Sequence, residues 1–391
     1  MAFQSARTGM LPPELIEAIL DEVTSTHADD DELHDSLRAY SLVAHAFLEP
    51  SQRRLFRDVL LGPSAPDSRA QTYDYCAHFL RCLWSQPCLG LYVNTLGVVE
   101  KTWGRAARRW FGADARVLLG RVLPRLPHLE HFCLDGDAWW PLSCDAPLRA
   151  SLGMLSSLSG LKCMALSDVE FQHFGDMADL VCGCRRLEGL RLRRVTFVDL
   201  PSAVHQATGR DHLVLDSLVL EEMSEDVVHL LLSSSALNIS RLRSLELKEG
   251  LTPTSRQELM STNAPTLHHL SLSVILDPSP TIPAEFTLLA HIPIRSLRLK
   301  MCSNWLPALL PCLSPNLQIF ELEFDTAPAR ADSVVWRALD DALTLPGSDF
   351  RRLTIHYPDY HRSADEPLRE DTFRGWVPRL VETGVLRVVV T

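Results

Sequence analysis

The sequence has little lysine and no long apolar run. Of its 38 basic residues only Lys101, Lys162, Lys248 and Lys300 are lysines, which leaves 34 arginines (38 − 4). No apolar stretch approaches the roughly 18–20 residues that a bilayer-spanning helix needs, and no apolar segment of a secretory signal follows the first residues. We therefore expect a protein of the cytoplasm or the nucleus that makes no use of a membrane.

Positive charge and paired cysteines are also scarce. The 38 Lys and Arg residues against 49 Asp and Glu residues give a net charge of −11, which repels phosphate backbones and argues against a nucleic-acid partner. The ten cysteines include no CxxC pair, whereas structural zinc sites usually take two such pairs. The closest spacing is Cys182-Gly-Cys184, and we expect reduced free thiols there instead of a metal site.

Sequence motifs of enzymes are missing as well. The chain contains no nucleophile elbow, phosphate-binding loop, dinucleotide fingerprint or HExxH motif. His128 and His131, and the pair His268-His269, have no carboxylate nearby at the spacing of metal ligands. The composition is ordinary for a globular protein, with 46% hydrophobic and 22% charged residues. The sequence therefore predicts a binding protein, not an enzyme, with no catalytic residue, no metal and no cofactor.

A repeated pattern of leucines occupies most of the chain. Its form is Leu-x-x-Leu-x-Leu, with other apolar residues in the weaker copies, and the copies lie at 93–98, 129–134, 161–166, 187–192, 215–220, 242–247, 267–272, 294–299, 317–322, 350–355 and 385–390. The copies that end at 166, 192, 220, 247 and 272 are 26, 28, 27 and 25 residues apart. This spacing is typical of leucine-rich repeats, which recur every ~20–29 residues.

Each copy predicts one strand followed by one helix. The alternation Leu-x-Leu has a period of two, so both leucines lie on one face of a short strand. Segments between the copies, such as SEDVVHLLLSS and TSRQELMST, have helical patterns opened by Ser or Thr. Because one strand and one helix cannot bury their apolar faces alone, the copies must stack. We predict an α/β fold in which residues 93–391 form a leucine-rich-repeat solenoid, with a curved parallel sheet inside and helices outside.

The first sixty residues predict a small helical module. Pro12 and Pro13 begin a first helix, whose apolar face carries Leu15, Ile16, Ile19, Leu20 and Val23. The acidic stretch 27–35 is predicted to be a loop, followed by a second helix over 37–48 and a third that starts at Pro50 and carries Val59. Three short helices make a very small core, so some apolar residues should contact a partner or the rest of the chain. We predict that this module spans 1–62 and that a helical linker over 63–92 leads into the repeats.

Residues 11–60 resemble the F-box, and the chain as a whole resembles fungal F-box proteins of the basidiomycete type with irregular leucine-rich repeats. The matching elements are LPPELIEAIL at 11–20, the step Ser41-Leu42-Val43 with Phe47, and the closing Leu55-Phe56. The long acidic loop and Phe56, where many F-boxes have tryptophan, depart from the family. In that family the F-box binds a Skp-family adaptor and thereby a cullin–RING ubiquitin ligase. The resemblance implies that the adaptor contacts are Leu11, Pro12, Leu15, Ile16, Ile19, Leu20, Leu42, Val43, Phe47, Leu55 and Phe56.

The repeats predict a second binding surface. In each copy the side chains beside the last two leucines point away from the core, onto the concave face of the sheet. Charged residues are concentrated at these positions, which favours a partner of mixed charge. We predict that an unknown protein substrate contacts Arg191, Arg193, Glu246, Lys248, Arg298, Lys300, Glu321 and Glu323.

These features lead to one functional prediction and one alternative. The prediction is a substrate-recognition subunit of a cullin–RING (SCF-type) ubiquitin ligase, whose F-box binds the adaptor and whose repeats bind the substrate. The alternative is a leucine-rich-repeat scaffold that never joins a ligase and whose N-terminal helices are a cap packed on the repeats.

Overall fold

The structure is a computed structural model that describes most of the chain. The described residues are 11–26, 30–62, 75–99, 113–142, 145–199, 213–273, 284–301, 305–324, 333–345, 348–357 and 374–390. They belong to two compact units, of which the first is Met1–Gln172 with Asp179–Leu187 and the second is His173–Ala178 with Glu188–Thr391. Within these described ranges, no helix combines the length and the apolar character that crossing a bilayer requires.

Three helices open the first unit. They are α1 (Pro13–Thr26), α2 (Asp30–Val43) and α3 (His45–Leu55). Their shared core contains Ile16 and Leu20 of α1, Leu37 of α2 and Phe47 of α3. The ring of Tyr40 stacks on that of Phe47, with 5.8 Å between the ring centres. One small apolar cluster thus holds the three helices together.

The boundaries of these helices differ from the predicted ones. The acidic stretch that was expected to be a loop supplies the start of α2 at Asp30, because acidic side chains suit the positive end of a helix dipole. Residues 27–29 of that stretch lie outside the described ranges. The expected second helix is divided at Ala44, whose extended backbone (φ −154°) separates α2 from α3. Val59, expected in the third helix, lies in a strand.

A parallel sheet of four strands follows in the first unit. The strands are β1 (Asp58–Leu61), β2 (Thr95–Val99), β3 (His131–Pro141) and β4 (Cys163–His173), and they pair in that order. The intervening helices are α4 (Tyr75–Ser85), α5 (Ala113–Val122) and α6 (Ala146–Gly153), which pack on one another in sequence. The helix α7 (Phe174–Gly183) comes after β4. The N-terminal helices therefore lead directly into the first strand of a sheet.

The second unit contains a longer parallel sheet. Its strands are β5 (Gly189–Arg193), β6 (Thr196–Asp199), β7 (Leu213–Val214), β8 (Ser217–Glu221), β9 (Leu237–Asn238), β10 (Ser244–Leu247), β11 (His269–Ser273), β12 (Ser296–Met301), β13 (Ile319–Phe324), β14 (Arg352–Tyr357) and β15 (Leu386–Val390). All except β6, β7 and β9 pair in parallel in chain order. Each of the eleven sequence copies contains one strand. The predicted α/β class with a parallel sheet is confirmed.

One face of this longer sheet is packed and the other is open. Helices of the second unit are α8 (Glu225–Ser233), α9 (Pro253–Asn263), α10 (Ala284–Leu289), α11 (Leu306–Leu309), α12 (Ser333–Leu343) and α13 (Pro378–Glu382). Along β12, for example, Leu297, Leu299 and Met301 are buried, whereas Arg298 and Lys300 between them are not. We call the face that carries Arg298, Lys300 and the equivalent residues of the other strands the open face.

Several strand ends turn through a left-handed residue. Arg194 (φ 45°) and Glu222 (φ 51°) each lie two residues after the last leucine of their copy, and Gly250 (φ 87°) follows in the next copy. The backbone N–H of Arg194 donates to the carbonyl of Glu221 at 3.1 Å, and that of Glu222 donates to the carbonyl of Glu249 at 2.7 Å. These bonds between neighbouring copies hold two non-glycine residues in a conformation that costs about 1–2 kcal/mol.

Candidate functional site

The structure divides the predicted adaptor contacts by their exposure. Five of them are exposed: Leu11, Pro12 and Leu15 around the start of α1, and Leu42 and Val43 at the end of α2. Leu42 is 86% exposed and Val43 is 71% exposed, although both side chains are apolar. The module does not use these five residues for its own core, so they are available to a partner protein. We call them the exposed apolar residues of the module.

The other six predicted contacts are not exposed. Ile16, Leu20 and Phe47 are buried and form the core of the module itself, and their contact with an adaptor stays a prediction. Ile19, Leu55 and Phe56 are half-buried, and the first two pack against that core. The physical reason is that each helix buries the part of its apolar face that contacts the other two helices.

An ion-pair cluster joins α1 to α3. The Nη1 atom of Arg54 lies 2.7 Å from Oε2 of Glu17, and its Nη2 atom donates to Oδ1 of Asp21 at 2.5 Å. The side chain of Arg54 is only 19% exposed, so solvent screens these contacts less than it screens pairs on the surface. The cluster fixes the packing of the two helices beside the exposed apolar residues of the module.

The eight predicted substrate contacts all lie on the open face of the second unit. Because the strands pair in register, outward side chains form two rows that cross the strands. The first row is Arg191, Val219, Glu246, Ser271, Arg298, Glu321 and Thr354, of which Thr354 is buried. The second contains Arg193, Glu221, Ser273, Lys300, Glu323 and His356, with Lys248 just beyond the end of β10. Basic and acidic side chains are interleaved in both rows.

Three cations converge on the carboxylate of Glu221. Arg191 Nη2, Arg193 Nε and Lys248 Nζ each lie 3.4 Å from one of its oxygens. The Arg191 contact is a hydrogen bond, whereas Arg193 Nε makes no hydrogen bond within the described residues. Lys248 is shared further, because its Nζ atom also lies 3.5 Å from Oε1 of Glu246. The carboxylate of Glu221 is therefore shared by two arginines and by a lysine that also pairs with Glu246.

At the other end of the open face the charges are matched. Arg298 Nη2 donates to Glu323 Oε2 at 2.9 Å, and Lys300 Nζ lies 3.7 Å from Oε1 of the same residue. Arg352 Nη2 donates to Glu321 Oε1 at 3.2 Å. These pairs connect β12 to β13 and β13 to β14. Oppositely charged side chains therefore face one another on neighbouring strands.

The surrounding cations change the titration of two open-face glutamates. Partial burial acts to raise the pKa of Glu221, but the nearby cations, Lys248 foremost, outweigh burial and hold this pKa below its usual value. Burial also opposes ionisation of Glu323, and the hydrogen bond from Arg298 outweighs it, so the pKa of Glu323 is lowered too. Both carboxylates are charged at neutral pH.

An open groove of about 310 Å³ crosses this face. Its floor contains Ser271, Leu272 and Ser273 of β11. The residues that β11 contributes to the two rows, Ser271 and Ser273, are uncharged. Its walls are charged, with Glu221, Glu222, Glu246, Lys248 and Glu249 on one side and Arg298, Lys300 and Glu323 on the other. The uncharged strand β11 thus forms the bottom of a groove between two charged walls.

The cysteine pair that the spacing singled out has the character of a buried thiol. Burial raises the pKa of the Cys184 thiol to about 12, and its Sγ atom contacts the carbonyl of Leu180 at 3.5 Å. A thiol with this pKa stays protonated at neutral pH. Within the part of the chain that the structure describes, no three His, Cys, Asp or Glu residues are grouped so that they could hold a metal ion.

Charged residues outside the predicted set also lie on the open face. Glu221 occupies the same position in its copy as Arg193 and Lys248 do, so the repeat pattern contains the signal for it. Arg352 also fits the alternation, because it precedes the buried Leu353, whereas Glu222, which pairs with Arg194 at 3.3 Å, follows the end of β8 and lies off the alternation.

Comparisons with known proteins find similarity among solved structures alone. No family model matches the chain, and no curated protein matches it. Among solved structures, the chain is similar to one in the crystal structure of the Rad7 and Elc1 complex in yeast, at 15% identity over 96% of this chain and 92% of that chain. The TM-score is 0.42, a value that does not establish a common fold. The fold of this chain rests on its own strand register.

Proposed function

We propose that this chain is a substrate-recognition subunit of a cullin–RING ubiquitin ligase. Its N-terminal helices would bind a Skp-family adaptor, and the open face of the second unit would bind a protein substrate. The chain would carry out no chemistry itself, because such a ligase gains rate by holding a substrate lysine close to a loaded conjugating enzyme. We expect it to act in the cytoplasm or the nucleus.

The observation that carries this proposal is the set of exposed apolar residues of the module. Leu11, Leu15, Leu42 and Val43 are large, apolar and between 45% and 86% exposed, although the module beside them has an apolar core of its own. They belong to the segment that resembles an F-box, where the family binds its adaptor. Exposed apolar side chains of this kind are typical of a surface that a partner covers.

Capture of a Skp-family adaptor by the full chain tests the proposal. The variant with Leu11→Ala and Leu15→Ala should lose adaptor binding, because truncation of a buried interface anchor costs about 2 kcal/mol or more, roughly thirtyfold in affinity. Its thermal melting should stay close to that of the wild type, since both side chains are exposed.

The matched control removes apolar side chains of similar exposure from the second unit. Val198 and Val214 are 52% and 44% exposed, and replacing both by alanine should leave adaptor capture unchanged. A wild-type chain that captures no Skp-family adaptor would contradict the proposed function.

A leucine-rich-repeat scaffold outside any ligase is the second candidate, and one observation favours it. Helix α3 leads straight into β1, and the backbone N–H groups of Asn94 and Thr95 donate to the carbonyl of Arg57 at 2.9 and 3.0 Å. The guanidinium of Arg53 lies 5.9 Å from the centre of the Tyr92 ring. These contacts are those of a cap that covers the first repeat. Absence of adaptor capture, with the chain folded, would favour this candidate.

A further inference from the structure

One place on the open face has more cations than carboxylates. Arg191 and Arg193 share Glu221, and each arginine carries five N–H donors on a planar group. Within the described residues, Arg191 uses its Nη2 atom in a hydrogen bond to Glu221, and Arg193 Nε makes none. The two side chains are 46% and 35% exposed, so a ligand can reach them, although the Arg193 Nε atom is itself buried.

The other ion pairs of the open face are balanced. Between β5 and β14 the paired cations are Arg191, Arg193, Arg194, Lys248, Arg298, Lys300 and Arg352, and the paired carboxylates are Glu221, Glu222, Glu246, Glu249, Glu321 and Glu323. Among the described residues these pairs join seven cations to six carboxylates, and Arg191 and Arg193 both pair with Glu221. This excess is local, because the whole chain carries a net charge of −11.

We propose that Arg191 and Arg193 bind a side-chain carboxylate in an acidic segment of a protein partner. The inference rests on the proposed function, in which the open face receives the substrate, and it identifies the recognised feature as an Asp or Glu residue. Arginine suits this role because its planar group donates two parallel N–H···O bonds to one carboxylate. Lys248 adds a third positive charge 3.4 Å from the shared Glu221.

The groove determines where the rest of the segment lies. Three strand steps lead from β5 to Ser271 on β11, and strands ~4.8 Å apart place Ser271 about 14 Å from Arg191 along the row. An extended chain advances ~3.3 Å per residue, so about four residues separate the bound carboxylate from those above the groove floor. The hydroxyls of Ser271 and Ser273 both donate and accept hydrogen bonds, which suits small polar residues there.

Fluorescence anisotropy with a labelled acidic peptide tests this site on the full chain. The probe has two glutamates followed by about eight glycine and serine residues, and its counterpart has glutamines in place of the glutamates. At low ionic strength the glutamate probe should bind at least ten times more tightly than the glutamine probe. The variant with Arg191→Gln and Arg193→Gln should lose at least tenfold in affinity for the glutamate probe. Glu221→Gln, which removes the competing carboxylate, should raise that affinity.

Arg352→Gln is the matched control, because Arg352 is an arginine of the same face that has a carboxylate of its own at 3.2 Å. It should bind the glutamate probe like the wild type. Equal binding of the two probes, or full binding by the Arg191→Gln, Arg193→Gln variant, would overturn the proposal. Binding of a phosphoserine probe without binding of the glutamate probe would overturn it too, in favour of a phosphorylated partner.

Adaptor capture keeps this test separate from the proposed function. The Arg191→Gln, Arg193→Gln variant should capture the Skp-family adaptor like the wild type, since the adaptor contacts are proposed for α1 and α2. A chain that captures the adaptor but binds no glutamate probe refutes the acidic-segment proposal alone. A chain that binds the glutamate probe but captures no adaptor refutes the ligase proposal alone.

Discussion

Gly250 occupies a backbone position that no side chain fits. Its φ of 87° is in the left-handed region, and a Cβ atom added there would lie 2.7 Å from the Cα atom of Glu222. Gly250→Ala should therefore lower the free energy of unfolding by about 1–3 kcal/mol. Urea denaturation measures this change.

Gly153 offers the control at the same scale, because an added Cβ atom there meets nothing within 4 Å. Gly153→Ala should keep or slightly raise the stability, since alanine is the better helix former. If Gly250→Ala unfolded at the same urea concentration as the wild type, that result would contradict the close approach of Gly250 to Glu222.

The sequence was least informative about which individual residues of the predicted adaptor surface are exposed. Leu15 and Ile16 are neighbours of similar size on the apolar face of α1, yet Leu15 is 50% exposed and Ile16 is 4% exposed. The helical period predicts the face, whereas burial depends on where Leu37 and Phe47 of the other two helices pack. A pattern along one helix carries no information about that placement.

At the scale of elements, Asp340 of α12 caps the start of α13. Its two carboxylate oxygens accept hydrogen bonds from the backbone N–H groups of Arg379 and Leu380 at 3.0 and 2.9 Å, and its side chain is buried. Asp340→Ala leaves these donors without a partner. We expect a loss of about 1–3 kcal/mol of stability, together with faster amide hydrogen exchange in α13 and β15.

The adjacent Asp341 provides the comparison. It forms an ion pair with Arg379 at 2.7 Å, but its side chain is 64% exposed, so Asp341→Ala should cost at most about 1 kcal/mol. Similar losses in the two variants would show that Asp340 does not act as a cap. The sequence presents two neighbouring aspartates and gives no sign of which one is buried.

The elements themselves were largely predictable. Every copy of the leucine pattern contains a strand, because alternating leucines with one buried face leave few other conformations. The break at Ala44 was not predictable, since no glycine or proline stands at the point where α2 ends. The cap of α9 is Thr252, two residues before Thr254, where the helical pattern was expected to open. The Thr252 hydroxyl accepts a hydrogen bond from the backbone N–H of Ser255.

For the molecule as a whole, the ion pairs of the open face predict a dependence of stability on pH. The pKa values of Glu221 and Glu323 are lowered in the folded chain, so their charged forms favour folding. This contribution is complete above the ordinary glutamate pKa of about 4.3 and is lost as the pH falls toward the lowered values of the folded state. The urea midpoint should therefore stay level from pH 7 down to about pH 5 and decrease as the pH falls below about 4.3.

The same decrease should be smaller in the variant with Glu221→Gln and Glu323→Gln, which has lost the two shifted groups. Glu32→Gln, at an exposed glutamate of α2, should behave like the wild type. A double variant whose urea midpoint depends on pH as steeply as that of the wild type would rule out these two carboxylates as the cause.

The uniform register of the second sheet affects how such a chain can change over generations. Leu190, Leu218, Leu245, Leu270, Leu297, Phe320, Leu353 and Leu386 stand opposite one another across eight successive strands. Each junction therefore presents nearly the same apolar edge to the next strand. Duplication or loss of one strand–helix copy would create a junction of a kind that the sheet already contains. Descendants of this chain could lengthen or shorten the open face one strand at a time while the rest of the sheet keeps its pairing.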